Sequence, residues 1–167
     1  GLIYSNSARV GGDRMDEAIA AYVRRAHNLL IGEATAERIK KEIGSARATA
    51  GSNGATSFVS GRDVAEGGPR EPSRSKAEIA GALSEPVSHI VDFVRAALEQ
   101  IQPEIAADVI DRGITMTGGG SLLRNIDAVL ADETGLPVQI ADKALRCVAL
   151  GAGRALEDAE HRGALQP

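Results

Sequence analysis

The sequence contains very few aromatic residues, with 2% aromatics and no Trp among its 167 residues. Such a chain has few rings on which the bases of single-stranded nucleic acid could stack. Its net charge of −4 is also opposite to the basic footprint of proteins that bind a phosphate backbone. We therefore expect no nucleic-acid partner. The 43% of hydrophobic residues predicts an aliphatic core that suffices for one domain, with or without a small inserted lobe.

Cysteine, histidine and long apolar runs are also scarce. Cys147 is the only cysteine, so no disulfide can form within the chain and a reducing compartment is favoured. His27, His89 and His161 lie far apart without companions at ligand spacing, which argues against a metal site. No apolar run reaches the roughly 20 residues of a membrane span, and no signal-peptide pattern is present. These features predict a soluble, cytoplasmic protein.

The order of the predicted elements is typical of an α/β fold with parallel strand pairing. Hydrophobic periodicity predicts helices over 13–31, 35–44, about 76–100, 103–113 and 144–160, and strands around 114–116 and 136–142. Asp13 and Thr35 are the expected N-caps of the first two helices. The inward face of the closing helix is expected to carry Leu145, Val148, Ala149 and Ala152.

A change of composition divides the chain into two units. Residues 45–76 are rich in Gly, Ser, Ala and Thr, with a strand candidate at Phe58 and Val59, and indicate a loosely packed lobe with hairpin-like strands. We expect one subdomain over residues 1–30 and 77–160, a small inserted lobe over 31–76 and a tail over 161–167. The opening residues resemble a strand already under way, which suggests that the chain is part of a longer protein.

The segment "GITMTGGGSLLRNIDAVL", residues 113–130, places three glycines between a strand pattern and a helix pattern. The first amides of a helix have no intrahelical partner and carry partial positive charge, so such a turn suits a phosphate or a ribose edge. Glycine also removes the Cβ that would keep a ligand away from the backbone. The alternative is a tight turn whose glycines only supply positive φ. The triplet matches neither a Walker A loop nor a dinucleotide fingerprint.

Six segments occur in an order and at a spacing that resemble the second half of the MreB family, the bacterial actin-like cell-shape proteins. They are "VGGDRMDEAI", "GEATAERIKKEIG", "GRDVAEGGPRE", "DRGITMTGGGSLLRNID", "ETGLPV" and "CVALGAGRALE". The resemblance covers nearly the whole chain. It implies an α/β fold of the ribonuclease H-like, actin-like ATPase type, namely its second domain with a small inserted α+β lobe. A chaperone-type or sugar-kinase ATPase of the same superfamily is the alternative, and a nucleotide-free scaffold is a third.

The resemblance assigns one part of a nucleotide site to the "ERIK" run of the second helix. Glu37, Arg38, Ile39 and Lys40 match the helix positions that contact the nucleoside. Glu37 would accept hydrogen bonds from ribose hydroxyls while the Lys40 ammonium lies against the adenosine. Both residues are expected on a solvent-lined cleft wall, so that their joint replacement by alanine would weaken ATP binding without unfolding the chain. The competing explanation is an exposed helical ion pair between them.

The resemblance assigns two glycine-containing turns to the same cleft. The turn that flanks the adenosine and inner phosphate comprises Gly118, Gly119, Gly120 and Ser121. A second turn, at the base of the cleft, contains Gly12 and Asp13. A helix cap by Asp13 is the competing explanation for that turn.

The resemblance also implies what the full-length protein does. ATP with Mg²⁺ would bind between two domains, and the residues that hydrolyse ATP, hold the metal and contact the inner membrane would precede Gly1. We therefore expect no catalytic or metal-binding residue in this chain, which alone should neither hydrolyse ATP nor form filaments. The implied partners are further copies of the protein, the cell-wall elongation machinery and the membrane surface that the cytoplasmic protein would associate with.

Overall fold

The structure is a computed structural model that describes residues 4–51 and 54–157. Its helices are α1 (Gly12–His27), α2 (Glu33–Ile43), α3 (Lys76–Gln100), α4 (Pro103–Arg112), α5 (Ile126–Thr134) and α6 (Ala144–Glu157). Its strands are β1 (Leu29–Leu30), β2 (Thr56–Phe58), β3 (Gly61–Asp63), β4 (Pro69–Arg70), β5 (Ser73–Ser75), β6 (Ile114–Met116) and β7 (Val138–Ile140). A short 3-10 turn covers Gly119–Leu122. The predicted helices are thus confirmed as elements, and α3 continues through the buried Pro86.

The core is aliphatic, as the composition predicts, and is built mainly by α1, α2, α3 and α5. Each helix contributes residues three or four positions apart, because this spacing places side chains on one face. The fully buried members include Met15, Ile19, Val23, Ala36, Ile39, Ile79, Leu83, Ile126 and Leu130. Helix α1 lies against both α2 and α3 and is therefore the central packing element.

The strands form three small sheets in the described part of the chain. Strands β6 and β7 pair in parallel, with Ile114 opposite Val138, which confirms the predicted parallel pairing around the glycine triplet. The strands between α1 and α3 pair antiparallel instead, in the orders β1-β3-β4 and β2-β5. Strand β2 ends at Phe58, which is exposed, whereas Val59, the next residue, is fully buried.

The predicted N-caps of α1 and α2 are wrong. Helix α1 begins at Gly12 with Gly11 as N-cap, and α2 begins at Glu33 with Gly32 as N-cap, without a side-chain cap at either end. Backbone carbonyls start both helices instead, because Gly11 O accepts from Met15 N at 3.1 Å and Gly32 O accepts from Ala36 N at 3.0 Å. Asp13 therefore lies in the first turn, where its charge is favourable to the helix dipole.

The inward face predicted for α6 is also wrong. Ala144 is buried, but Leu145 is 69% exposed and Ala149 and Ala152 are exposed, whereas the side chain of Val148 lies outside the described residues. Helix α6 packs against the turn Gly119–Leu122, where the Leu145 side chain lies beside Gly119. Periodicity identifies an amphipathic helix, but it does not identify what covers the apolar face.

Residues 4–10 form no strand, which corrects the expectation of a strand at the start, while residues 1–3 are outside the described part. None of the described helices has the length and apolar content required to cross a membrane. The proposed boundaries of the small lobe and of the subdomain around it remain a prediction. The predicted tail, 161–167, falls outside the described residues.

A histidine at the end of α1 makes the stability of this fold dependent on pH. His27 Nε2 lies 3.5 Å from Glu78 Oε1 of α3, with 21% of the histidine side chain exposed. Burial, and then the Arg74 charge, hold the pKa of His27 below its ordinary value of 6.5 despite Glu78. The fold therefore favours neutral His27. Its contribution is complete above pH 6.5 and is lost as the pH falls below that value towards the lower folded-state pKa.

We predict that His27→Gln reduces the loss of stability on acidification. The measurement is the free energy of unfolding in urea at pH 8 and at pH 5.5 for the parent and the variant. The parent should lose more stability than His27→Gln between these pH values. Equal losses would show that His27 does not carry this pH dependence.

Candidate functional site

An open groove of about 1020 Å³ lies where α1, α2 and the glycine turn meet. It brings together residues that are far apart in the sequence. The predicted site residues that line it are Gly12, Asp13, Glu37, Lys40, Gly119 and Gly120. Three separate segments that the resemblance assigned to one cleft therefore do share one surface.

The glycine turn is held in shape by Gly118 and Ser121, which do not line the groove. Gly118 has a φ of +83°, a conformation that favours glycine, and its N–H donates to Ala144 O at 2.8 Å. Ser121 is buried, with 2% of the residue exposed, and its hydroxyl donates to Gly118 O at 2.6 Å. Both residues thus serve the geometry of the turn.

Gly119 and Gly120 present their backbone to the groove. Within the described residues, neither N–H donates a hydrogen bond to the protein. A Cβ on Gly119 would lie 3.2 Å from Leu145 Cδ2, and one on Gly120 would lie 3.8 Å from Gly12 N. The turn leads into a 3-10 turn, and α5 begins only at Ile126, so the predicted direct entry into a helix is wrong. Unpaired amides beside open space remain, and they suit an anion or a polar edge.

Glu37 and Lys40 do not form the ion pair considered from the sequence. Glu37 Oε1 lies 2.7 Å from Lys41 Nζ, one helical turn further on, and both side chains are largely exposed. The hydrogen bond from Lys41, together with its charge, lowers the pKa of Glu37, and the Lys40 charge adds a smaller effect. Glu37 is therefore an ionised, solvent-accessible acceptor at the edge of the groove.

Lys40 lies deeper than expected. Its Nζ is 2.8 Å from Asp16 Oδ1 of α1 and donates to Gly12 O at 3.2 Å. Only 15% of the Lys40 side chain and 9% of the Asp16 side chain are exposed. Lys40 is therefore less solvent-exposed than the resemblance led us to expect, and its removal would leave a buried carboxylate without a counter-ion.

Arg38 and Ile39 do not join the groove. Arg38 Nη1 contacts Glu42 Oε2 of the same helix at 3.0 Å, and its Nη2 donates to Phe58 O of β2 at 2.8 Å. Ile39 is fully buried in the core. The physical reason is the 100° rotation between consecutive helical residues, which gives the four members of "ERIK" different faces.

Sequence reasoning missed several groove residues. The sequence pattern could have identified Asp16, because it shares a helix face with the buried Ile19 and Val23, and an acid on an apolar face requires a partner. No such pattern could have identified Arg124. Its Nη1 donates to Lys41 O at 3.1 Å and Gly44 O at 3.3 Å, so it satisfies carbonyls at the end of α2.

The groove has an excess of positive charge although the whole chain has a net charge of −4. Its five basic side chains are Arg9, Arg14, Lys40, Lys41 and Arg124, and its three acidic side chains are Asp13, Asp16 and Glu37. The balance favours an anionic ligand. Among the described residues, no group of three or more His, Cys, Asp and Glu side chains is placed to hold a metal ion.

The chain matches the family model described as MreB/Mbl protein over residues 1–163. The cell shape-determining protein MreB of Escherichia coli (strain K12) is 53% identical over 163 residues, which cover 98% of this chain and 46% of the relative. The cell shape-determining protein Mbl of Bacillus cereus (strain ATCC 10987 / NRS 248) is 41% identical over 94% of this chain and 46% of the relative. The chain thus spans about half the length of the curated relatives it matches.

Solved structures of MreB-type and MamK proteins also match the fold of the chain. MreB5 of Spiroplasma citri bound to ADP matches with a TM-score of 0.87 and 38% identity, over 94% of this chain and 47% of that one. The AMPPNP-bound form of that protein matches with a TM-score of 0.87 over 98% of this chain and 49% of that one. A MamK double helical filament matches with a TM-score of 0.67 at 19% identity, which concerns the fold alone.

These similarities confirm the predicted fold class, an α/β fold of the actin-like ATPase type. They do not favour the alternative of a chaperone-type or sugar-kinase ATPase. The chain belongs to the MreB/Mbl family of cell shape-determining proteins.

Proposed function

We propose that the full-length protein is an ATP-binding, filament-forming cytoskeletal protein that maintains rod cell shape, and that this chain supplies one wall of its nucleotide site. The observation that carries the proposal is the convergence of Gly12, Glu37, Lys40 and the Gly119–Gly120 backbone on one groove. The net positive charge of the groove suits the phosphates of a nucleotide. The ADP and AMPPNP complexes of MreB5 support the same ligand class.

The groove residues fit the parts of a nucleotide by their chemistry. The N–H groups of Gly119 and Gly120 can donate to an inner phosphate or to the adenosine, and the absence of a Cβ allows the close approach. The ionised Glu37 can accept from ribose hydroxyls. Lys40 offers an ammonium at the base of the groove. Gly118 and Ser121 contribute by holding the turn.

Metal binding, hydrolysis and assembly belong to the full-length protein in this proposal. Mg²⁺ would be held mainly by residues outside this chain. Filaments would form from further copies of the protein, as the MamK filament structures suggest for this fold. We further propose a cytoplasmic location, association with the inner membrane surface and contact with the cell-wall elongation machinery.

The test is Glu37→Ala in the full-length protein. We expect its affinity for ADP, measured by isothermal titration calorimetry, to fall about tenfold, because a charged acceptor for the ribose is lost. Its stability should change little, since the ion pair with Lys41 is exposed and screened by solvent. Sedimentation in the presence of ATP should require a correspondingly higher nucleotide concentration.

The matched control is Glu33→Ala, an exposed acid one turn earlier on α2 that does not line the groove. It should bind ADP like the parent. If Glu37→Ala also binds ADP like the parent, Glu37 is only a surface ion-pair partner of Lys41 and the nucleoside assignment is wrong. A parent protein that binds neither ADP nor ATP would favour the nucleotide-free scaffold.

A further inference from the structure

A largely buried acidic side chain lies at the base of the groove. Asp16 belongs to the core-facing side of α1, next to Met15 and in line with Ile19. Its side chain is 9% exposed, and its nearest counter-ion is Lys40 of α2, with Oδ1 and Nζ 2.8 Å apart. The two groups form an ion pair, but they are not aligned as a hydrogen bond. Asp16 is therefore held in an ion pair with one groove residue, Lys40.

Packing alone gives no reason for this ion pair. Removing two charges from water costs free energy, and well-packed apolar side chains of similar size often stabilise such a position equally well or better. What the pair does achieve is to restrict a long, flexible lysine to one location. Lys40 Nζ also donates to Gly12 O at 3.2 Å, so its ammonium is held between α1 and α2 at the base of the groove.

A second acidic side chain lies within reach of Lys40 on the same helix. Glu37 lies three residues earlier on α2, a spacing that permits ion pairs, and the Lys40 charge already contributes to the lowered pKa of Glu37. Without Asp16, the Lys40 ammonium would be drawn towards Glu37. That pairing would withdraw both side chains from a ligand in the groove.

We propose that Asp16 is a positioning residue that holds the Lys40 ammonium at the base of the groove and away from Glu37, and thereby sets the affinity for the nucleoside part of the ligand. The inference rests on the proposed function, because it assumes a nucleotide in this groove. Asp16 acts on the ligand through Lys40, and the proposal assigns it no direct contact with the ligand. Its effect on binding must therefore disappear when Lys40 is replaced.

The experiment is a double-mutant cycle in the full-length protein with Asp16→Asn and Lys40→Met, read out as ADP affinity by isothermal titration calorimetry. Asp16→Asn should weaken ADP binding about tenfold when Lys40 is present. It should change ADP binding by less than about twofold when Lys40 is Met. A residue with a merely structural role would lower affinity by the same factor in both backgrounds.

Glu33→Gln is the charge-matched control, because it removes one negative charge from an exposed position of α2 and Glu33 does not line the groove. It should leave ADP affinity unchanged. Asp16→Glu and Lys40→Arg keep both charges while changing their reach, so they remain informative if Asp16→Asn folds poorly. Each should weaken ADP binding about threefold.

The outcomes separate this inference from the proposed function. An equal loss of affinity in both Lys40 backgrounds overturns the positioning role, as does unchanged or tighter binding by Asp16→Asn and by both reach variants. In either case ADP binding by the parent leaves the proposed function standing. If the parent itself fails to bind ADP, the proposed function fails and this inference fails with it.

Discussion

Gly119→Val is expected to reduce the affinity of the full-length protein for ADP at least about 100-fold, because it places a stiff, branched side chain where the ligand must meet the backbone. The protein should still fold. Gly119 has an ordinary backbone conformation, and its new Cβ would meet only the end of the flexible, exposed Leu145 side chain at 3.2 Å. The loss should therefore appear in ligand binding and not in stability.

Two further variants make this prediction specific. Gly68→Val is the control, because a Cβ on Gly68 meets nothing within 4 Å, its backbone conformation is likewise ordinary, and it lies between β3 and β4, away from the groove. It should bind ADP like the parent. Gly118→Ala should instead reduce stability, since φ at that position is +83°. A folded Gly119→Val protein with parental ADP affinity, measured by calorimetry, would show that the glycines form only a turn.

Lys40→Ala is expected to lower the free energy of unfolding by about 3 kcal/mol, because it leaves the Asp16 carboxylate buried without its counter-ion. Lys41→Ala provides a neighbouring comparison on the same helix. Lys41 pairs with Glu37 at 2.7 Å, but both side chains are largely exposed, so this replacement should change stability little. Both lysines form an ion pair, so the expected difference in their effect on stability comes from the burial of Lys40.

The measurement is urea-induced unfolding of ligand-free protein at neutral pH for the parent and both single variants. Asp16→Leu combined with Lys40→Met should recover most of the stability lost in Lys40→Ala, since it replaces the pair by apolar groups. If Lys40→Ala and Lys41→Ala are equally stable, Lys40 is solvent-accessible in solution and the buried ion pair is not formed.

The two lysines illustrate what sequence reasoning could and could not predict about the site. The resemblance directed attention to Glu37 and Lys40, and both line the groove together with Gly119 and Gly120. It also included Arg38 and Ile39, whose side chains the helix turns elsewhere. A motif names consecutive positions, whereas a helix exposes only some of them to one surface.

The sequence by itself determined the elements whose causes are local. The three-to-four spacing of apolar residues specifies α1 and α3, and the glycines at 118–120 specify a turn after β6, because these effects depend on neighbours within a few residues. The order of its motifs also identified the family, which the comparisons confirm.

Only the tertiary structure decided the charge pattern of the groove and the exposure of α6. Asp16 meets Lys40 because α1 packs on α2. Arg124, which lies between the glycine turn and α5, donates to Lys41 O near the end of α2. Leu145 stays 69% exposed although its helix packs against the glycine turn, so the apolar character of α6 did not predict its burial. Such contacts join residues far apart in the chain, and periodicity reports that a face is apolar or charged without reporting what lies against it.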